Sequence, residues 1–368
     1  MQNALSLARM VKPNRPTFIK LFIYRPNEFN REVTGSSMTV LVTGATGFIG
    51  SWVVKLLLEK GVHVRATART LDKAEFLKKM DKGSGAILDI VKMDLLDLNE
   101  VEDAVRGCEQ IIHCAAALPV GSKNDQTDIL DPSIQGCKNL VIAMDKFGRV
   151  KNLIHTSSVA AIRDPRKGNG AMHNREDWCT GASLEKNPYG FAKTEAEIII
   201  RNWVESKSEP KPRLITIHPS IVFGPILHPS HSEGSMAYIK HFVKGPKFVI
   251  KSSLEFVDVR DVALAHVNAL ELGDDGQRYI LHAHRMWMHE VGELLQKARP
   301  EKKWARRVIP KPIAFVFAIF HPKLTVEQLR KTWGKWTDFD CQDMEERLQI
   351  KLYTKEETIL KSIESLET

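Results

Sequence analysis

Beginning at Thr39, short runs of β-branched and apolar residues alternate with longer stretches whose apolar positions recur at helical spacing. This alternation predicts successive strand–helix–strand units and therefore a parallel sheet. Strands are expected at Thr39–Thr43, His63–Ala68, Ile87–Met93, Gln110–Ala115, Asn152–Ser157 and Arg213–His218. Between them, Phe48–Lys60 carries Ile49, Trp52, Val53, Leu56 and Leu57 on one helical face, and Ser133–Phe147 carries Ile134, Leu140, Val141 and Met144. A further helix is expected from Tyr189 to about Ser206. The fold class is α/β, a doubly wound parallel sheet covered by these apolar faces. Proline and glycine become denser after His218, dividing the chain into a core over 38–218 and a mainly substrate-binding region over 219–368 with elements returning to the core.

Composition narrows the class. The 368 residues are 43% hydrophobic, enough for a sizeable core. Five cysteines, Cys108, Cys114, Cys137, Cys179 and Cys341, form no C-x-x-C pair and no zinc-like spacing with histidine, so a reduced, cytoplasmic protein without a metal site is expected. His113 and His155 fall inside expected strands and read as packing residues.

Of the formal charge of +8, half lies before Met38, where six Lys and Arg face Glu28 and Glu32. The other +4 reads as spread along the rest of the chain without a basic block, which argues against a nucleic-acid partner. The extension 1–37 is basic and acid-poor, as organelle transit peptides are, but Pro13 and Pro16 interrupt any amphipathic helix there. It is expected to be disordered, with organelle targeting or a misassigned start as alternatives. The longest apolar run, Ile313–Phe320, has eight residues, short of the roughly 20 that a membrane-spanning helix needs, and reads as a buried or partner-contacting helix.

The segment Thr43-Gly44-Ala45-Thr46-Gly47-Phe48-Ile49-Gly50 follows one expected strand and opens the next helix. In that setting Gly44 permits a tight turn, Gly47 lets backbone approach a pyrophosphate, and Gly50 allows close helix–strand packing. The helix N-terminus then offers N–H groups and a positive dipole to phosphate. At the end of the second strand, where an acid commonly meets an NAD ribose, the residue is Arg69. A guanidinium there suits a 2′-phosphate, so NADP(H) is preferred and NAD(H) remains possible, with Asp72 as the alternative ribose contact.

A second constellation is Tyr189-Gly190-Phe191-Ala192-Lys193, which puts Tyr and Lys on one helix face. Tyrosine ordinarily ionises near pH 10, so acid–base use near neutrality needs an adjacent cation, which Lys193 provides. Upstream, Thr156-Ser157-Ser158 ends an expected parallel strand, at the edge where open α/β sheets place ligands.

Together these residues resemble the extended short-chain dehydrogenase/reductase family, through T-G-x-x-G-x-x-G at Thr43–Gly50 and Y-x-x-x-K at Tyr189–Lys193. Further matches are Asp94-Leu95-Leu96-Asp97, the run His218–Pro225 and the run Phe256–Ala263. The segments 47–52, 64–69 and 276–280 resemble the dihydroflavonol reductase-like branch, which includes plant enzymes and microbial aldehyde reductases. The resemblance implies a Rossmann-type fold and a small-molecule carbonyl substrate. It implies that Ser158 holds the carbonyl oxygen, Tyr189 protonates it, and Lys193 eases proton loss from Tyr189 while contacting the nicotinamide ribose. Cofactor contacts would come from Gly44, Thr46, Gly47, Phe48, Ile49, Gly50, Arg69, Asp94, Leu95, Ala115, Ala116, Tyr189, Lys193, Pro219 and Val222, with Asp94 and Leu95 at the adenine.

Ser133 and His218 stand where many family members have asparagine, which leaves the proton relay open, and Ser157 is the reserve for Ser158. The substrate pocket is expected around Leu118–Val120, Arg163–Ala182 and Ile226–Ile239. There Arg163, Arg166 and Lys167 are either an acid-recognising cluster or solvated, and Trp178 either walls the pocket or anchors its loop. The expected activity is NADP(H)-dependent reduction of an aldehyde or ketone by a monomer or homodimer. Alternatives are a nucleotide-sugar epimerase or dehydratase with tightly held NAD, a hydroxysteroid dehydrogenase, and a cofactor-sensing binding protein.

Overall fold

The computed structural model describes residues 39–80, 83–117, 124–147, 149–245, 248–320, 325–341 and 344–368. The extension 1–37 and the pocket segment Leu118–Val120 lie outside them. In chain order the strands are β1 (Thr39–Thr43), β2 (His63–Ala68), β3 (Leu88–Lys92), β4 (Gln110–His113), β5 (Asn152–Thr156), β6 (Met172–His173), β7 (Arg213–Pro219), β8 (Ile221–Phe223), β9 (Ser253–Asp258), β10 (Arg278–Leu281), β11 (His284–Trp287) and β12 (Asp338–Phe339).

Seven of these form one parallel sheet in the order β10-β7-β5-β4-β1-β2-β3. The chain winds outward from β1 through β2 to β3, then returns to place β4 on the other side of β1. That reversal opens a crevice between the ends of β1 and β4, the place where doubly wound sheets bind dinucleotides.

Both faces of the sheet are covered, which is why its strands read as near-continuous apolar runs. Val40 and Val42 point to one face, where Val53 and Leu57 of the helix Phe48–Glu59 and Val262 of the helix Val259–Leu272 complete the core. Leu41, Ile111 and Leu153 point to the other, against Leu140 of the helix Asp131–Phe147 and Ile200 of the helix Pro188–Glu205. The expected strand Gln110–Ala115 stops at His113. Cys114 N still bonds the Thr43 carbonyl at 3.2 Å, but Ala115 N turns to the Thr43 hydroxyl at 3.2 Å, so the chain leaves the ladder at the crevice.

The later residues build a three-stranded sheet, β11-β9-β8, around a second core of Phe223, Phe242, Phe256, Met286 and Ile359. β10 belongs to the main sheet and the helix Val259–Leu272 packs on the helix Phe48–Glu59, so this region is stitched into the core rather than appended. β12 pairs with β6 and pins the loop between β5 and the helix Pro188–Glu205.

Candidate active site

The glycine turn is a cradle that side chains would fill. Gly44 has φ +64°, and a Cβ there would stand 2.7 Å from Ala115 Cα at the end of β4. A Cβ on Gly50 would stand 2.3 Å from the Gly44 carbonyl oxygen. Gly47 caps the helix Phe48–Glu59, and neither a capping side chain nor an acid in the first turn competes for its N–H groups. The turn is held from three sides: Thr67 Oγ1 accepts from Gly44 N at 3.2 Å, His231 Nε2 donates to the Thr46 carbonyl at 3.1 Å, and Trp52 Nε1 donates to the Pro225 carbonyl at 2.9 Å.

Around this cradle lie the other expected cofactor residues. Arg69 follows β2, is exposed, and has no ion pair among the described residues. The Asp94 carboxylate accepts from Leu96 N at 3.0 Å, which fixes the turn after β3, and Leu95 packs against Gly136. Ala115 and Ala116 line a cavity with Leu95 and Lys193, while Pro219 ends β7 and Val222 is buried in β8. These features fit an anionic dinucleotide: open N–H groups at the helix start, no Cβ over the turn, and, after β2, a guanidinium without an ion pair among the described residues.

The Tyr–Lys pair opens the helix Pro188–Glu205. Asn187 caps it, its side-chain oxygen accepting from Gly190 N at 3.1 Å. Gly190 is required by close approach, since a Cβ would meet Asn187 Nδ2 at 2.3 Å and the Ala160 carbonyl at 3.0 Å. That approach sets the first helical turn against the 159–161 turn that Ser158 caps. Lys193 is buried, and its Nζ donates to the Thr156 carbonyl at 3.1 Å.

The two serines at the end of β5 face different ways. Ser157 Oγ donates to Glu197 Oε2 at 2.9 Å inside the protein. Ser158 Oγ accepts from Ala160 N at 3.1 Å, which leaves its own proton free to donate. Glu197, one turn beyond Lys193, is fully buried and also accepts from Arg201 Nε at 2.9 Å and Arg278 Nε at 2.8 Å. Burial opposes its charge, but His218, Arg278 and Arg201 outweigh it and hold the carboxyl well below the usual range. His218 Nδ1 donates to the Ser158 carbonyl at 3.1 Å, so this departure from asparagine braces the serine backbone. Sequence reasoning did not single out Glu197, Arg201 or Arg278.

Behind Lys193 a cavity of about 20 Å³ is lined by Ser133, His113 and His155. Ser133 Oγ donates to the Ile129 carbonyl at 2.6 Å. Burial pushes His113 down to about 3 and His155 well below its ordinary value, so both imidazoles are neutral. They stack at 5.3 Å, and His113 pairs with the Thr43 hydroxyl at 2.7 Å. Among the described residues no His, Cys, Asp and Glu group is arranged to hold a metal.

The pattern of the NAD dependent epimerase/dehydratase family matches residues 40–281, the whole seven-stranded sheet. The chain belongs to that family. It is 34% identical over 277 residues to cinnamoyl-CoA reductase 2 of Medicago truncatula, covering 73% of this chain and 79% of that one. It is 30% identical over 275 residues to the bifunctional dihydroflavonol 4-reductase/flavanone 4-reductase of Malus domestica, covering 72% and 78%. Its fold matches Gre2 of Candida albicans in complex with NADPH at a TM-score of 0.75 and 27% identity, covering 90% and 98%. These relatives place it in the dihydroflavonol reductase-like branch of the extended short-chain dehydrogenases.

Within this family frame the loop over 163–182 is organised by its own charges. Asp164 accepts from Arg166 Nε at 3.0 Å, and the guanidinium holds its carboxyl down at about 2. Lys167 Nζ bonds Asp177 at 2.6 Å. Two of the three cations that offered an acid-recognising cluster are therefore already paired. The guanidinium of Arg278 lies 3.9 Å from the centre of the Trp178 ring and donates to the Arg175 and Asp177 carbonyls at 2.7 and 2.6 Å. Trp178 is thus anchored by Arg278, and it also lines an open cavity with Asp164, Arg166 and Lys167.

Proposed function

We propose that this protein is an NADP(H)-dependent reductase that converts an aldehyde or ketone to an alcohol, with Tyr189 as the proton donor. The observation that carries the reading is Lys193 Nζ fixed on the Thr156 carbonyl, two residues before Ser158 in the chain and one helical turn from Tyr189, at the same sheet edge as the glycine cradle. Named reductases among its relatives, and NADPH in the Candida Gre2 structure, support the cofactor and the reaction class.

The cofactor, when bound, supplies hydride to the carbonyl carbon. Ser158 Oγ orients the carbonyl oxygen by donating a hydrogen bond. Tyr189 Oη delivers the proton to that oxygen as negative charge develops on it. Lys193, with N–H groups left over from its bond to Thr156, eases proton loss from the phenol electrostatically. Glu197, Arg278 and His218 touch no reacting atom and keep the serine turn in place.

The test is an NADPH-oxidation screen over aldehydes, ketones, flavonoids and steroids, followed by Tyr189→Phe on the best substrate. Turnover should fall at least about a hundredfold while NADPH binding stays within a few-fold. Full turnover in the variant would refute the proton donor. Purified protein that carries bound NAD and consumes no NADPH would refute the reductase reading.

A further inference from the structure

The helix Lys311–Phe320 presents the wrong face to its own protein. Its buried positions are Ala314 and Ala318, packed with Leu329 of the next helix. Facing outward are Ile313, Val316, Phe317 and Phe320, a single stripe at spacing i, i+3, i+4 and i+7, with Ile319 beside it. Ile319 is 66% exposed and Phe320 82%. A solvated helix buries such residues and shows alanine or charge to water. Contiguous exposed apolar stripes of this kind mark interaction surfaces.

The charges that flank the stripe along the chain point to its partner. The reading that charge beyond the N-terminal extension is evenly spread needs correcting. Residues 301–335 contain nine Lys and Arg against only Glu301 and Glu327, a net +7 within a chain whose total is +8. Partial cancellation elsewhere concealed this block. Lys302 and Lys331 are paired with Glu367 and Glu327. Lys303, Arg306, Arg307, Lys311, Arg330 and Lys335 are exposed and have no ion pair among the described residues. Lys311 even opens the apolar helix, where the helix dipole disfavours a cation, so helix stability does not explain it.

We propose that the helix Lys311–Phe320 and its basic flanks dock on an anionic phospholipid surface. The apolar stripe enters the boundary between headgroups and acyl chains, and the cations meet lipid phosphates. The ten-residue helix is about 15 Å long, half the hydrocarbon core, so it lies in the interface and does not span it. A second copy is a poor occupant, because a two-fold contact would press one +7 block against another. A nucleic acid would satisfy the cations but not the apolar stripe between them.

The test uses the full chain in flotation assays with phosphatidylcholine vesicles, and with vesicles carrying about 30% phosphatidylserine. Binding is expected on the anionic vesicles, weakly or not at all on the neutral ones, and is expected to fall as salt is raised. The double variant Arg306→Ala/Arg307→Ala should bind about 25-fold more weakly, from roughly fivefold per cation. Ile319→Ser/Phe320→Ser should also release the protein, and both variants should keep wild-type NADPH turnover in vesicle-free buffer.

Failure to bind anionic vesicles overturns the proposal. So does binding that both variants retain, which would assign it to the basic N-terminal extension. A dimer in vesicle-free buffer that Ile319→Ser/Phe320→Ser dissociates would make the stripe a contact between copies and would likewise overturn it. Binding to polyglutamate but not to vesicles would place an acidic protein there instead.

Discussion

Lys193 Nζ lies 3.1 Å from the Thr156 carbonyl oxygen, so the ammonium is fixed by the same strand end that carries Ser157 and Ser158. A lysine without this anchor would be free to snorkel to solvent. Replacing it by methionine keeps the buried stem and removes the charge. Lys193→Met is expected to lower kcat by about 10²–10⁴. Unchanged turnover would show that Lys193 does not act on Tyr189.

The two serines should separate cleanly. Ser158→Ala is expected to cost about 10²–10³ in kcat with little change in melting temperature, because its hydroxyl accepts one bond from Ala160 N and donates none among the described residues. Ser157→Ala should behave in the opposite way, costing roughly 1–3 kcal/mol of stability by removing a donor from the buried Glu197 carboxylate. Turnover and thermal melts on both variants decide the matter, and equal kinetic losses would argue against the assignment.

Cofactor choice should follow Arg69. Its guanidinium is exposed and unpaired among the described residues, so Arg69→Ala is expected to raise the KM for NADPH at least about tenfold while altering the KM for NADH little. Equal effects on the two cofactors would mean that Arg69 does not meet a 2′-phosphate.

Asp261 predicts an unusual pH dependence of stability. Burial raises its carboxyl from 3.8 to about 7; one oxygen accepts from Tyr353 N at 3.1 Å, and the other has no partner among the described residues. The folded protein therefore holds the proton more tightly than the unfolded chain, and this group's contribution to stability falls as pH rises from 3.8 to about 7 and then levels off. Asp261→Asn should match the wild type near pH 4 and exceed it at pH 8, by on the order of 4 kcal/mol at most. Thermal melts of the two proteins that run parallel across this range would rule the prediction out.

The strands from β1 to β5, the glycine turn and the Tyr189–Lys193 pair were legible in the sequence because each depends on local rules. Strand and helix periods, the absence of a Cβ at Gly44 and Gly50, and an i, i+4 spacing all act over a few residues. Nothing local distinguishes Ser157 from Ser158. The different bonding of the two hydroxyls came with the β5–β7 pairing and with Glu197, 40 residues downstream, which takes one of them. The bond from Arg278 to Glu197 joins residues 81 apart, and the same guanidinium stacks on Trp178, a contact that no local pattern announces. The run Ile313–Phe320 was plainly apolar in sequence, yet composition alone does not say which side of a helix is buried. Tertiary packing put Ala314 and Ala318 against Leu329, with Phe315 half-buried beside Trp333, and left Ile313, Val316, Phe317, Ile319 and Phe320 outside, because which side of the helix is covered depends on the residues that follow it in the fold.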